Sequence, residues 1–273
     1  ASSVLSQLNG YVKVTTVYSN GYAFAAIRED GSVVTWGDIN FGGYSNGIGV
    51  NNPDNKVTTI VASVLGFAAL REDGSVVGWG GNASLSGGYL NGQIKAVRLF
   101  SNNHAFAALR EDGTVYTWGN TPTTGLVPTL NGTIRVINIY STSNGGFAAL
   151  REDGSVVTWG NASMGGDSSA VATQLNGTIK VKYIYSTRSA FAALREDGSI
   201  ITWGNSNEGG DSNIVADQLT ENVWAFADIF TDTRLTPTNN QFEIRITPTS
   251  SIVSKPSVSE LIISNIPEVA PGR

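Results

Sequence analysis

The chain has 273 residues, a formal net charge of −5 and only 14% charged residues, against a typical ~25%. That balance excludes a coiled coil, and the acidic excess argues against nucleic-acid binding, which needs a basic face. With no cysteine and one histidine, His104, there is no disulfide framework, thiolate metal site, Cys nucleophile or paired-imidazole site.

No run of about 18 apolar residues appears, so no membrane-inserted helix is expected. The sequence opens at Ala1 without Met or signal peptide and reads as a processed or excised product. In chain order it then repeats itself. An apolar element, QLNGYVKVTTVYS at 7–19, precedes AFAAIREDGSVVTWGD at 23–38. DNKVTTIVAS at 54–63 precedes GFAALREDGSVVGWGG at 66–81, and LNGQIKAVRLFS at 90–101 precedes AFAALREDGTVYTWGN at 105–120. LNGTIRVINIYS at 130–141 precedes GFAALREDGSVVTWGN at 146–161, and QLNGTIKVKYIYS at 174–186 precedes AFAALREDGSIITWGN at 190–205. The in-phase tryptophans Trp36, Trp79, Trp118, Trp159 and Trp203 fall 43, 39, 41 and 44 residues apart. A sixth unit is eroded: QLTENVWAFADIFTD at 218–232 keeps the first strand, and RLTPTNNQFEIRIT at 234–247 has lost REDG and WG. Residues 248–273 form a tail with one strand candidate, SELIISNI at 259–266.

Asp-Gly between two β-rich runs is a strong hairpin signal, and Asp30-Gly31 and its four counterparts fit a type I′ two-residue loop. That loop predicts Arg28 opposite Val33, Ile27 opposite Val34 and Ala25 opposite Trp36. Ala25, Ile27, Val34 and Trp36 then share one face, and Phe24, Ala26, Val33 and Thr35 the other. Both faces are largely apolar, so each hairpin is sandwiched between neighbours, with the tryptophans in that core. A unit of this length with antiparallel turns predicts an all-β fold: a β-propeller of about six blades, alternatively seven, or an open propeller-like array. The repeat spans 1–247, and 248–273 is a separate C-terminal tail.

The pattern of small-residue strand, acidic-Asp-Gly turn and V-x-x-W-G resembles the regulator of chromosome condensation repeat. It is carried by Phe191-Ala192-Ala193-Leu194, Glu196-Asp197-Gly198 and Ile201-Thr202-Trp203-Gly204, with counterparts in four other units. The family's Gly-Gly-x-His is replaced here by Gly21-Tyr22, Asn103-His104 or Arg188-Ser189. The units are shorter than the chromatin type and look more like compact bacterial versions. The resemblance implies a propeller and specifies no activity.

Five symmetry-equivalent Arg-Glu-Asp triplets are read as turn chemistry with Arg clamping neighbouring blades, since catalysis needs one asymmetric constellation. No Ca²⁺ loop is present, and His104 has no Ser-Asp pattern around it. No catalytic residue, metal or cofactor is assigned, and the chain is read as a non-enzyme. The loops after Trp-Gly differ between units and carry apolar residues among Gly, Ser and Asn, as adaptable binding loops do. They nominate Phe41, Tyr44, Leu85, Tyr89, Leu126 and Met164 as partner-binding residues, with the out-of-phase Trp224. Leu261, Ile262, Ile263 and Ile266 are nominated as a closing or exchanged strand. The expected function is an extracellular or cell-surface binding module with a protein partner. The alternatives are a self-assembling adhesive or filament subunit of identical chains, and a glycan-binding propeller.

Overall fold

The computed structural model describes residues 4, 7–45, 49–85 and 88–215. The eroded sixth unit, the tail, Trp224 and the nominated strand residues Leu261, Ile262, Ile263 and Ile266 lie outside them.

The described chain is all-β apart from short 3-10 segments, and it forms five consecutive antiparallel sheets, one per repeat. The first blade is β1 (Val14–Ser19), β2 (Ala23–Arg28) and β3 (Val33–Gly37). The second is β4 (Val57–Ser63), β5 (Gly66–Arg71) and β6 (Val76–Gly80). The third is β7 (Ala96–Ser101), β8 (Ala105–Arg110), β9 (Thr114–Gly119) and an added β10 (Gly125–Asn131). The fourth is β11 (Val136–Ser141), β12 (Gly146–Arg151) and β13 (Val156–Gly160). The fifth is β14 (Val181–Ser186), β15 (Ala190–Arg195) and β16 (Ile200–Gly204). The Leu-Asn-Gly segments ahead of the first strands are turns, in which Asn9, Asn91, Asn131 and Asn176 each accept from the N–H two residues on.

The hairpin register corrects the type I′ expectation. Ile27 stands opposite Val33, and Phe24 opposite Trp36. Arg28 N–H donates to Ser32 O and Gly31 N–H to Arg28 O, so the loop has three residues, Glu29-Asp30-Gly31. This is a four-residue turn followed by a glycine bulge, with Gly31 at φ 78°. Asp30 Oδ1 accepts the Ser32 N–H at 2.9 Å, which fixes the turn ahead of the glycine. Asp73, Asp112, Asp153 and Asp197 do the same for Ser75, Thr114, Ser155 and Ser199.

A one-residue slip turns side chains to the other face. Phe and Trp therefore share a face rather than opposing each other. They stack as Phe24–Trp36, Phe67–Trp79, Phe106–Trp118, Phe147–Trp159 and Phe191–Trp203, with centroids 5.2–5.4 Å apart. The alanines supply the receiving face. Ala23, Ala25, Ile27 and Val33 pack against Phe67 and Trp79 of the next blade. Ala68, Leu70 and Val76 receive Phe106 and Trp118, and Ala105, Ala107, Leu109 and Val115 receive Phe147 and Trp159. Ala148, Leu150 and Val156 receive Phe191 and Trp203. Each core is thus an alanine-rich face filled by the aromatic face that follows it in sequence.

The arginine clamp holds in part: Arg71 Nη2 donates to the Gly49 carbonyl, in the connection between the first and second blades. Arg28, Arg151 and Arg195 Nε donate to Ser32, Ser155 and Ser199 Oγ of their own hairpins at 2.6–2.7 Å. The same guanidinium groups stand 3.5–3.9 Å from Asp30, Asp153 and Asp197. Blades are joined mainly by backbone bonds: Val57, Ala96 and Val181 N–H donate to Gly31, Gly74 and Gly154 O of the preceding turn.

These turns carry a pH dependence. The Ser32 hydroxyl's hydrogen bond holds the Asp30 carboxyl below its ordinary range, and Ser199 does so for Asp197. A carboxylate with a folded pKa below its unfolded value of about 3.9 stabilises the fold above that value and loses its contribution as pH falls through the folded pKa. Acid titration should therefore show stability falling from about pH 4 downward, and Asp197→Asn should flatten that slope. An unchanged acid profile in the variant would overturn this.

Candidate functional site

The two ends of the blades differ in kind. At the end carrying the Asp-Gly turns the pattern is uniform: Glu29, Glu72, Glu111, Glu152 and Glu196 N–H donate to the carbonyls of Lys13, Lys56, Lys95, Arg135 and Lys180.

At the opposite end the backbone is equally regular and the side chains are not. The residue after each Trp-Gly donates its N–H to the residue just before the second strand of its own blade. The bonds are Asp38 to Tyr22, Gly81 to Leu65, Asn120 to His104, Asn161 to Gly145 and Asn205 to Ser189, at 2.7–3.0 Å. Neighbouring blades are tied at this end by Val64 N–H to Asn103 O, Asn103 N–H to Ser143 O and Asn144 N–H to Arg188 O. One scaffold position thus presents phenol, isobutyl, imidazole, hydrogen and hydroxymethyl in turn.

The loops after Trp-Gly complete this end. In the first, fourth and fifth blades a 3-10 turn (Ile39–Phe41, Ala162–Met164, Ser206–Glu208) ends in a glycine with positive φ: Gly42, Gly165 or Gly209. A Cβ on Gly42 would lie 2.6 Å from the Phe67 ring, and one on Gly165 2.7 Å from the Phe191 ring, so the next blade's aromatic requires glycine there.

Phe41 is half-buried and stacks on Tyr22 at 4.3 Å, while Tyr44 is 54% exposed. Tyr89 is exposed on one side and stacks on Tyr116 at 5.3 Å, where burial, then Tyr89, pushes the Tyr116 hydroxyl up. Leu85 packs on the core between the second and third blades. Met164 is half-buried, and its carbonyl accepts from Thr142 Oγ1 at 2.8 Å. Leu126 lies on the added strand β10 rather than in a loop, and is exposed. Tyr22 and Phe41 come together in the first blade. Tyr22 was not among the nominated residues; its signal is the aromatic placed directly before a small-residue strand where the other units carry Leu65, His104, Gly145 or Ser189. Among the described residues, no group of three or more His, Asp or Glu side chains could hold a metal ion.

No protein-family model matches the sequence, and no curated protein matches it. Solved structures similar to this chain include the CRINKLY WD40 ectodomain of the Arabidopsis thaliana receptor kinase ACR4, at 15% identity and TM-score 0.44 over 71% of this chain and 64% of that one. Human WBSCR16 matches at 19% identity and TM-score 0.47 over 71% and 62%. Prp20p of Saccharomyces cerevisiae matches at 20% identity and TM-score 0.46 over 70% and 57%. The chain spans less than two thirds of the length of each. The fold reading rests on the five sheets and their register.

Proposed function

We propose that the chain is a non-catalytic binding module that offers the loop end of its blades to a protein partner. One observation carries this: identical backbone bonds hold chemically different side chains at that end, while the turn end is uniform. A rigid scaffold with variable loops is how recognition surfaces are built. The first blade supplies the aromatic part, Tyr22 stacked on Phe41, with the exposed Tyr44 following Phe41 in the same loop. Placement outside the cell belongs to the same proposal and rests on composition, low in charge and without cysteine.

Cross-linked capture from the native environment tests it. A Tyr22→Ser/Tyr44→Ser chain should lose the captured partner with an unchanged melting curve. A Glu72→Gln/Glu152→Gln chain, altered only at the turn end, should keep it. Retention by the tyrosine variant together with loss by the glutamate variant would overturn the proposal.

A second reading, self-association, is favoured by the first blade's aromatic face, where Phe24 is 44% exposed although its counterparts Phe67, Phe106 and Phe147 are fully buried. Light scattering coupled to size exclusion should then show mass rising with concentration. A defined monomer removes this reading.

A further inference from the structure

The Arg-Glu-Asp-Gly turns repeat from blade to blade, but the bulge beside each of them does not. Every first strand shifts register just after it opens: between Val14 and Thr16, Val57 and Thr59, Ala96 and Arg98, Val136 and Asn138, and Val181 and Tyr183. The residue inside the shift is Thr15 in the first blade and Thr58 in the second. Their hydroxyls donate to the Ile27 and Leu70 carbonyls of their own second strands, both at 3.1 Å. In the third and fourth blades the same position holds Val97 and Ile137, which cannot make that bond, and in the fifth Lys182. Val97 and Ile137 are 47% and 52% exposed, so the aliphatic groups do not replace the hydroxyl by packing inward. Among the described residues, the junction of the third and fourth blades is where two aliphatic bulge residues adjoin.

That junction holds a cavity of about 730 Å³, within the ~300–1,000 Å³ range of small-ligand sites. Val97, Val136 and Ile137 give it an apolar wall, and Arg98, Arg135 and Glu152 line it beside them. The other charged groups lining it are committed to their own turn. Glu111 Oε1 accepts the Lys95 N–H at 3.0 Å, and Asp112 Oδ1 accepts the N–H and hydroxyl of Thr114 at 3.0 and 2.6 Å. Arg110 Nη1 donates to Thr114 Oγ1 at 3.1 Å.

The remaining three are uncommitted. The side chains of Arg98, Arg135 and Glu152 make no hydrogen bond or ion pair among the described residues, and the Arg98 guanidinium lies over the Phe100 ring at 5.0 Å. Glu152 and Arg135 are held side by side by the Glu152 N–H on the Arg135 carbonyl at 2.9 Å, yet their charges stay apart. Both arginines depart from the repeat. Arg98 stands where the sister units carry Thr16, Thr59, Asn138 and Tyr183, and Arg135 where they carry Lys13, Lys56, Lys95 and Lys180. A guanidinium fork grips a carboxylate with two parallel hydrogen bonds, which an ammonium cannot do. Two such forks, one free carboxylate and an apolar wall match a ligand that is negative at one end, positive at the other and apolar between.

We propose that this junction binds a short apolar peptide with both ends free. Its carboxylate sits on Arg98 and Arg135, its ammonium on Glu152, and its side chains on Val97 and Ile137. The site is separate from the loop-end surface around Tyr22 and Phe41, and its failure leaves that reading standing.

The test titrates the full chain with the dipeptide Leu-Val while following the Val97 and Ile137 methyl resonances by NMR. Both signals should move saturably. The C-terminal amide and the N-acetyl form of Leu-Val should each bind about 10-fold more weakly, the worth of one charge-assisted hydrogen bond, and Gly-Gly should leave both signals in place. Arg98→Thr and Ile137→Thr install the residues that the first two blades carry at these positions, so both variants should melt like the parent. They should weaken Leu-Val binding about 10-fold and about 3–5-fold respectively. Glu152→Gln should erase the preference for Leu-Val over its N-acetyl form. Unmoved methyl signals at millimolar Leu-Val overturn the proposal. So does undiminished binding by Arg98→Thr, or an N-acetyl form that binds the parent as tightly as Leu-Val, which would mark a site for amphiphilic acids.

Discussion

Phe147→Ala should cost about 3–5 kcal/mol in a denaturant titration, the range for deleting a fully buried aromatic. The same change at Phe24 should cost less than about 1.5 kcal/mol, because much of the ring is already in water and less transfer free energy is lost. The two residues occupy one position of the repeat and make the same stack on a tryptophan, at 5.2 Å in both blades. They differ in what lies across the sheet. Phe147 is received by Ala105, Ala107, Leu109 and Val115. No preceding blade among the described residues receives Phe24. Equal costs at the two positions would show that the first blade's face is covered, by the chain beyond Val215 or by another copy, and repeating the pair in a chain truncated at Val215 would separate those sources.

Gly154→Val should be at least as damaging, at about 3–5 kcal/mol, combining backbone strain with overpacking. Gly154 sits at φ 80°, a region a β-branched residue avoids. Its Cβ would also lie 2.4 Å from Lys180 Cβ and 2.6 Å from Lys180 Cα, so the next blade would have to move. That movement would disturb the Val181 N–H to Gly154 O bond joining the two blades. Gly21→Ala is the control: a Cβ there meets nothing within 4 Å, and a change within about 0.5 kcal/mol is expected. A melting temperature for Gly154→Val equal to that of the parent would refute the bulge geometry.

The repeat, its three-strand unit and the burial of four of the five tryptophans were legible because each depends on residues within one period. The register was misread because Asp-Gly suits two turns. A two-residue loop needs positive φ at Asp and Gly, whereas the three-residue loop needs it at Gly alone. The discriminating signal was present in the residue two after the aspartate, Ser32, Ser75, Thr114, Ser155 or Ser199, whose N–H the carboxylate accepts. Trp36 is only half-buried, which was not legible, since its sequence matches the others and only the neighbouring blade distinguishes it. Strand β10 was hidden by Pro128, which reads against a strand yet is tolerated on the outer edge of a sheet. Of the nominated loop residues, Tyr44 and Tyr89 are exposed, Phe41 and Met164 are half-buried at the ends of 3-10 turns, and Leu85 is half-buried against the core between the second and third blades. The grouping of Arg98 with Arg135 and Glu152 could be found only in three dimensions, since the first belongs to the third unit and the other two to the fourth.

The order in which faces pair also bears on how the chain leaves the ribosome. A unit of this length takes roughly 2–8 s to synthesise, whereas a hairpin closes in microseconds. Each new blade can therefore form before the next has emerged. The surface it presents while waiting is the alanine side, which has less to offer a stray hydrophobic neighbour. The phenylalanine and tryptophan arrive later and find their receptor already built, so from the second blade onward the stickiest surface is shielded almost as soon as it exists. The first blade alone lacks that protection during translation, and nascent-chain aggregation should be most sensitive to substitutions at Val17, Phe24 and Trp36.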